Sequence, residues 1–223
     1  TAYSLDPNLL NVYDVNHQAD GVEHIFITSM YRYGKAYEGN FSQLPQMYGI
    51  GLPVIYISSS ITGGAGVQKT IEATSSWSYY RVDNDFYDTY ADNDLRKKLM
   101  VSTIYNENGT VLATYSPANI NSGNPTLNAF FYPFCRKYTD PYSLGTRTSA
   151  NLYLMRFAEA ALIYAEAAGP TTEGYDWVNK VRARAGLNPL PAGLSPQVFR
   201  ERIWQERTWE LAFEGQGIFE LRR

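Results

Sequence analysis

The chain has 223 residues, of which 18% are charged, and its formal net charge is −3 at pH 7. That length is enough to bury a hydrophobic core without disulfide staples, and the composition excludes a highly charged disordered tail or a low-complexity linker. Aromatic residues are abundant instead: 19 Tyr, 10 Phe and 4 Trp make up 15% of the chain.

In chain order, Glu23-His24-Ile25-Phe26-Ile27-Thr28-Ser29-Met30 predicts a strand, and Val54-Ile55-Tyr56-Ile57 after Pro53 predicts another. A short helix is expected between Phe86 and Leu99, with Asp residues near its start. Residues 101–105 and 110–115 flank Asn106-Glu107-Asn108-Gly109, whose Asn-Gly favours the positive φ of a hairpin turn. The remainder of residues 1–150 is rich in Tyr, Asn, Ser, Gly and Pro and reads as long ordered loop.

Residues 151–223 read as helical. Leu154, Ala158, Ala161, Leu162 and Ala165 form one stripe of a first helix over 152–168, which Gly169-Pro170 ends. A second helix follows Thr171 and Thr172 and stops at Gly186, which suits the left-handed position after a helix. Ser195-Pro196 opens a third as N-cap and first helical residue, and it is expected to run to about Phe213. The first two helices have the size of a tetratricopeptide hairpin. Residues 180–223 hold eight Lys/Arg against five Glu, interleaved as on a paired helix surface, so no nucleic acid partner is expected.

Several of these segments together resemble one family. Arg156-Phe157-Ala158-Glu159-Ala160-Ala161-Leu162-Ile163-Tyr164-Ala165-Glu166-Ala167 is similar to the signature helix of the SusD/RagB family. Val178-Asn179-Lys180-Val181-Arg182-Ala183-Arg184-Ala185-Gly186-Leu187, Glu206-Arg207-Thr208-Trp209-Glu210-Leu211-Ala212-Phe213-Glu214-Gly215 and Phe219-Glu220-Leu221-Arg222-Arg223 follow in the family's order. Upstream, Arg136-Lys137-Tyr138-Thr139-Asp140-Pro141 and Phe86-Tyr87-Asp88-Thr89-Tyr90 with Asp94-Leu95-Arg96 also resemble family segments.

The resemblance implies a mainly α fold: tetratricopeptide-like helix pairs with extensive irregular loops and a few short β-strands. It implies a partial SusD-like domain over 1–223, loop-rich to residue 150 and helical beyond. It also implies a surface-exposed outer-membrane lipoprotein, whose lipid anchor lies outside this chain, that captures nutrient glycans for a SusC-like TonB-dependent transporter. Family members are about twice this long, so the chain is expected to be an internal or C-terminal piece. The resemblance implies neither a cofactor nor a metal.

Among groups that could do chemistry, Glu206 and Glu210 share a helix face at the spacing of an acid/base pair. Arg202 and Arg207 beside them, with Arg182 and Arg184 as partners from the preceding helices, predict a structural ion-pair network instead. Asp83-Asn84-Asp85 and Asp92-Asn93-Asp94 lack the Gly and Glu of a calcium loop and read as turn or N-cap residues. His17 and His24 offer no zinc spacing, Cys135 has no nearby His, and Gly63-Gly64-Ala65-Gly66 lacks phosphate-loop spacing.

The aromatics are more informative. A pyranose presents an apolar C–H face and a rim of hydroxyls, so it is recognised by exposed rings flanked by polar side chains. Residues 77–90 hold six aromatics in fourteen, and Tyr31, Tyr33, Tyr37 and Tyr48 with Arg32, Asn40 and Gln43 form a second cluster. The candidate ligand contacts are Trp77, Tyr31, Tyr33, Tyr79, Tyr80 and Arg81. The alternatives are a peptide-binding member of the same family, a helical interaction scaffold whose Tyr rings merely cover the core, and a hydrolase built on Glu206 and Glu210.

Overall fold

The computed structural model describes residues 3–33, 42–50, 56–58, 67–69, 77–106, 108–128 and 130–217. Tyr37, Asn40, the 63–66 glycine stretch and the 219–223 motif lie outside them. Short strands come first: β1 (His24–Thr28), β2 (Tyr56–Ser58), β3 (Val67–Lys69), β4 (Met100–Val101), β5 (Thr103–Tyr105), β6 (Val111–Thr114), β7 (Phe134–Cys135) and β8 (Leu152–Arg156). Among them lie one-turn helices α1 (Leu44–Tyr48), α2 (Asn84–Asp88) and α3 (Pro125–Asn128). The long helices are last: α4 (Phe157–Ala168), α5 (Thr172–Arg184) and α6 (Pro196–Glu210). Among the described residues the strands form antiparallel sheets in the orders β1-β8, β3-β2-β5-β6 and β4-β7.

The three helices close one core. Ala161, Leu162 and Ala165 of α4 meet Val178 and Val181 of α5 and Phe199 and Ile203 of α6. Alanines on the α4 stripe let the neighbouring backbones approach. The ends follow the expected punctuation. Gly169 takes φ 66° and its N–H donates to the Ala165 and Glu166 carbonyls. Gly186 takes φ 76°, and Leu187 N–H reaches back to the Arg182 carbonyl at 2.9 Å. Ser195 Oγ accepts from Val198 N–H at 3.3 Å, with Pro196 opening α6.

Some boundaries depart from expectation. Residues 152–156 are not the start of the helix but strand β8, paired with β1 in the register His24↔Arg156 and Ile27↔Tyr153. Leu154 therefore leaves the helical stripe and is exposed. The pairing with β1 outweighs the helix propensity of Leu and Met. The third helix ends at Glu210, short of Phe213, whose φ of 68° turns the chain. Instead of one helix between Phe86 and Leu99 there are two short turns. Asp83 caps α2 by accepting from Phe86 N–H, and Asp94 caps a 3-10 turn, Leu95–Leu99, by accepting from Arg96 N–H.

The hairpin lies where Asn-Gly places it. Thr103 pairs with Thr114 and Ile104 with Ala113, and Gly109 has φ 79°. Ile104 and Ala113 belong to a second core with Ile50, Val101, Phe130 and Phe134. A third joins Leu9, Val12, Tyr13, Leu99, Tyr138 and Tyr153, so the loop-rich half is ordered around its own apolar centres.

Candidate ligand-binding surface

The run from Trp77 to Arg81 is held as a ledge along α1. Trp77 N–H donates to the Gln46 carbonyl at 2.7 Å, and Tyr80 N–H donates to the Met47 carbonyl at 2.9 Å. Between them Ser78 sits in the left-handed region at φ 52°, with its hydroxyl donating to the Gly49 carbonyl. Backbone pinned in this way keeps the rings outside while holding them still. Trp77 and Tyr79 are 38% and 69% exposed, and their ring centroids lie 5.5 Å apart. Tyr80 is 49% exposed and leans on Tyr48 at 5.2 Å. The exposed Arg81 lays its guanidinium over Phe131 at 4.9 Å and Tyr132 at 5.8 Å.

A second aromatic group projects from the loop after β1. Tyr31 and Tyr33 are both more than half exposed, and their rings meet edge-on at 5.5 Å. Arg32 between them lies 5.4 Å from the Tyr33 ring and 5.1 Å from Tyr142, which is also exposed. Its guanidinium is tied to the buried Asp140 at 2.9 Å. Ser42 N–H donates to the Thr146 carbonyl, and so binds the Tyr142 loop to the segment leading into α1. Both groups are thus attached to the same short stretch, 42–50, near its two ends.

All six candidate residues are exposed, in two groups: Tyr31 with Tyr33, and Trp77 with Tyr79, Tyr80 and Arg81. Tyr142 had no mark in the sequence beyond following Asp140-Pro141, and only the tertiary contact with Arg32 adds it. Tyr48 leaves the second cluster. It stacks on Tyr138 at 5.3 Å, and burial, helped by Cys135 and Tyr80, pushes its phenol up to about 12. It supports Tyr80 from within.

The helix carboxylates are enclosed by cations. Glu206 bridges Arg96 at 2.6 Å and Arg182 at 2.7 Å. Glu210 pairs with Arg184 at 2.6 Å and with Arg156 at 3.0 Å. Arg156 also bonds Glu23 at 2.5 Å and Glu214 at 2.6 Å, and Lys137 bonds Glu214 at 2.5 Å. The side chains of Glu23, Glu206, Glu210 and Arg156 are each about 1% exposed. Burial alone would raise the Glu210 carboxyl, but Arg184, Arg156, Arg96 and Lys137 outweigh it and hold it well below the usual range. This arrangement gives the pair no open face for a substrate. The expected partners Arg182 and Arg184 are present. The expected flanking Arg202 is exposed instead, and Arg207 pairs with Glu159 across to α4.

The other candidate groups have structural settings. Asp83 and Asp94 are N-caps, and Asp94 also grips the Arg96 guanidinium. Cys135 packs with Val82, Tyr90 and Met100, and burial pushes its thiol up to about 12 despite the opposing charge of Lys137. Among the described residues, no helix is long and apolar enough to cross a membrane.

The sequence profile of the SusD family matches residues 7–223. A SusD-like protein P2 of Formosa agariphila is 26% identical over 98% of this chain and 43% of its own length. Among solved structures, a SusD superfamily protein from Parabacteroides distasonis superposes with a TM-score of 0.69 at 18% identity, covering 100% of this chain and 43% of the other. Surface glycan-binding protein A from Bacteroides thetaiotaomicron, solved in complex with laminarihexaose, gives 0.62 at 19% identity, covering 99% and 46%. The chain spans less than half the length of each of these relatives.

Proposed function

Because the chain belongs to the SusD family, we propose that it contributes a glycan-binding surface to a nutrient-capture protein at the outer face of the outer membrane, and that it is not an enzyme. A lipid anchor beyond this chain would hold the protein at the surface, and a SusC-like TonB-dependent transporter would receive the ligand. One observation carries the binding reading: Trp77, Tyr79 and Tyr80 are exposed together on a ledge whose backbone is fixed to α1. A core-covering role would bury those rings. Rings already held in place lose little freedom when a sugar stacks on them, which favours affinity. The laminarihexaose complex of the Bacteroides thetaiotaomicron relative makes an oligosaccharide the first ligand to try.

Titration of laminarihexaose and a panel of soluble polysaccharides and peptides, followed by Trp fluorescence and calorimetry, tests the proposal. Saturable binding to a glycan without release of reducing ends is the expected result. Trp77→Ala should weaken binding by about 0.5–1.5 kcal/mol, roughly two- to twelvefold, with an unchanged melting temperature. A large drop in melting temperature would instead make Trp77 a core residue. Saturation by peptides alone would replace the glycan with a peptide as ligand.

A further inference from the structure

The Arg32 group differs from the Trp77 ledge in being assembled from distant segments, with a buried carboxylate at its centre. Asp140 is fully buried and surrounded by donors. Its Oδ1 accepts from Arg32 Nη1 at 2.9 Å and from Tyr142 N–H at 3.0 Å. Its Oδ2 accepts from Thr148 Oγ1 at 2.8 Å and from Ser149 N–H at 2.7 Å. Arg32 N–H in turn donates to Ser149 Oγ, and Met30 N–H donates to Asn151 Oδ1. One carboxylate therefore sets both the position of the guanidinium and the start of the loop that carries Tyr142.

We propose that Arg32, Tyr33 and Tyr142 form one composite platform for a neutral pyranose, with Asp140 as its positioning residue. This rests on the glycan-binding reading above. The guanidinium is the flat spacer that sets the two phenol rings, and its side chain is only 14% exposed. Its charge is balanced by Asp140 at contact distance. Among its own residues the platform thus offers ring faces and hydroxyls around a guanidinium whose charge is already paired. Neutral sugars gain from stacking there, while an acidic sugar gains nothing in return for desolvating its carboxylate.

The test is calorimetric titration of laminarihexaose and of a galacturonic acid hexasaccharide into the wild type, Tyr142→Ala, Arg32→Gln and Asp140→Asn, with a melting temperature for each. The wild type should prefer the neutral ligand. Tyr142→Ala and Arg32→Gln should each weaken it by about five- to tenfold. Tyr142 is 55% exposed, so its variant should keep the wild-type melting temperature. Asp140→Asn leaves Arg32 uncompensated, so neutral affinity should fall while the ratio of neutral to acidic binding moves toward the uronate. Partial unfolding cannot produce that ratio change, because it lowers both affinities equally. Wild-type affinity in Tyr142→Ala, or an unchanged ratio in Asp140→Asn, overturns the platform. Loss of binding in Trp77→Ala alone would sink this inference and leave the glycan reading standing. A wild type that binds neither hexasaccharide would sink this inference, and the absence of binding to every glycan of the panel above would sink the glycan reading as well.

Discussion

Arg156 shows how much of this molecule depends on single charged side chains. It is 1% exposed and touches Glu23, Glu210 and Glu214, which come from the start of β1, the end of α6 and the turn beyond it. Burying an ion is tolerable only when partners surround it, so deleting one member is far worse than never having had the set. Arg156→Ala should cost about 3–5 kcal/mol, read as a fall in the urea midpoint, because the glutamates it served stay buried. Lys180→Ala is the contrast: its pair with Asp176 lies one turn away on an exposed face and its ammonium rests 4.2 Å from the Trp177 ring, so the change should move stability by about 1 kcal/mol or less. Cys135 belongs to the same logic, since a buried thiol with a raised pKa should stay unreactive toward thiol reagents until the protein unfolds. None of these roles is a property of residue type. Arg156 and Arg202 look alike in the sequence, and only their surroundings separate a core ion from a solvated one.

At the scale of elements, the α4–α5 hairpin depends on closeness at its turn. A Cβ built on Gly174 would lie 2.0 Å from the Gly169 carbonyl oxygen, and Thr171 caps the same first turn of α5. Gly174→Ala should therefore push α5 away from the end of α4 and cost about 1–3 kcal/mol, visible in thermal unfolding, although alanine normally favours a helix. Ser195→Ala tests a purely local contribution and should cost about 1 kcal/mol. These helices were legible because their signals are local: the Thr171 and Ser195 caps, a stripe of alanines on α4, and Gly169 and Gly186 past the ends of α4 and α5. Strand β8 was not legible, since its partner β1 is more than a hundred residues away and residues 152–156 carry no helix-breaking residue.

For the whole molecule, the buried network couples stability to acid. Glu210 and Glu214 have folded pKa values below the ordinary 4.5, through Arg156 and the other cations around them and against the effect of burial. A depressed carboxyl stabilises the fold fully above its unfolded value and loses that contribution as pH falls through the folded one. The melting temperature should therefore be insensitive to these groups above about pH 5 and drop steeply as the solution is acidified below about 4.5. Glu214→Gln, which removes one such carboxyl, should melt lower at pH 7 and show a shallower acid limb. The same network draws β1, the 3-10 turn at Arg96, the Lys137 segment and all three long helices onto one point, so acid should release them together.

By itself the sequence determined the family, the mainly helical class, the glycines that end the first two long helices, the Ser195 cap of the third and the hairpin, because each is written in neighbouring residues or in ordered motifs. It also pointed to Arg182 and Arg184 as partners of the helix glutamates. Only the tertiary structure decided that Arg156, Glu23 and Lys137 complete that network, that Tyr48 is a support and that Tyr142 joins Arg32 beside Tyr33. Arg32 and Asp140 are 108 residues apart, and Arg156 and Glu23 are 133 apart. Contacts at such separations depend on how the loops close around the core, and no local spacing encodes that closure.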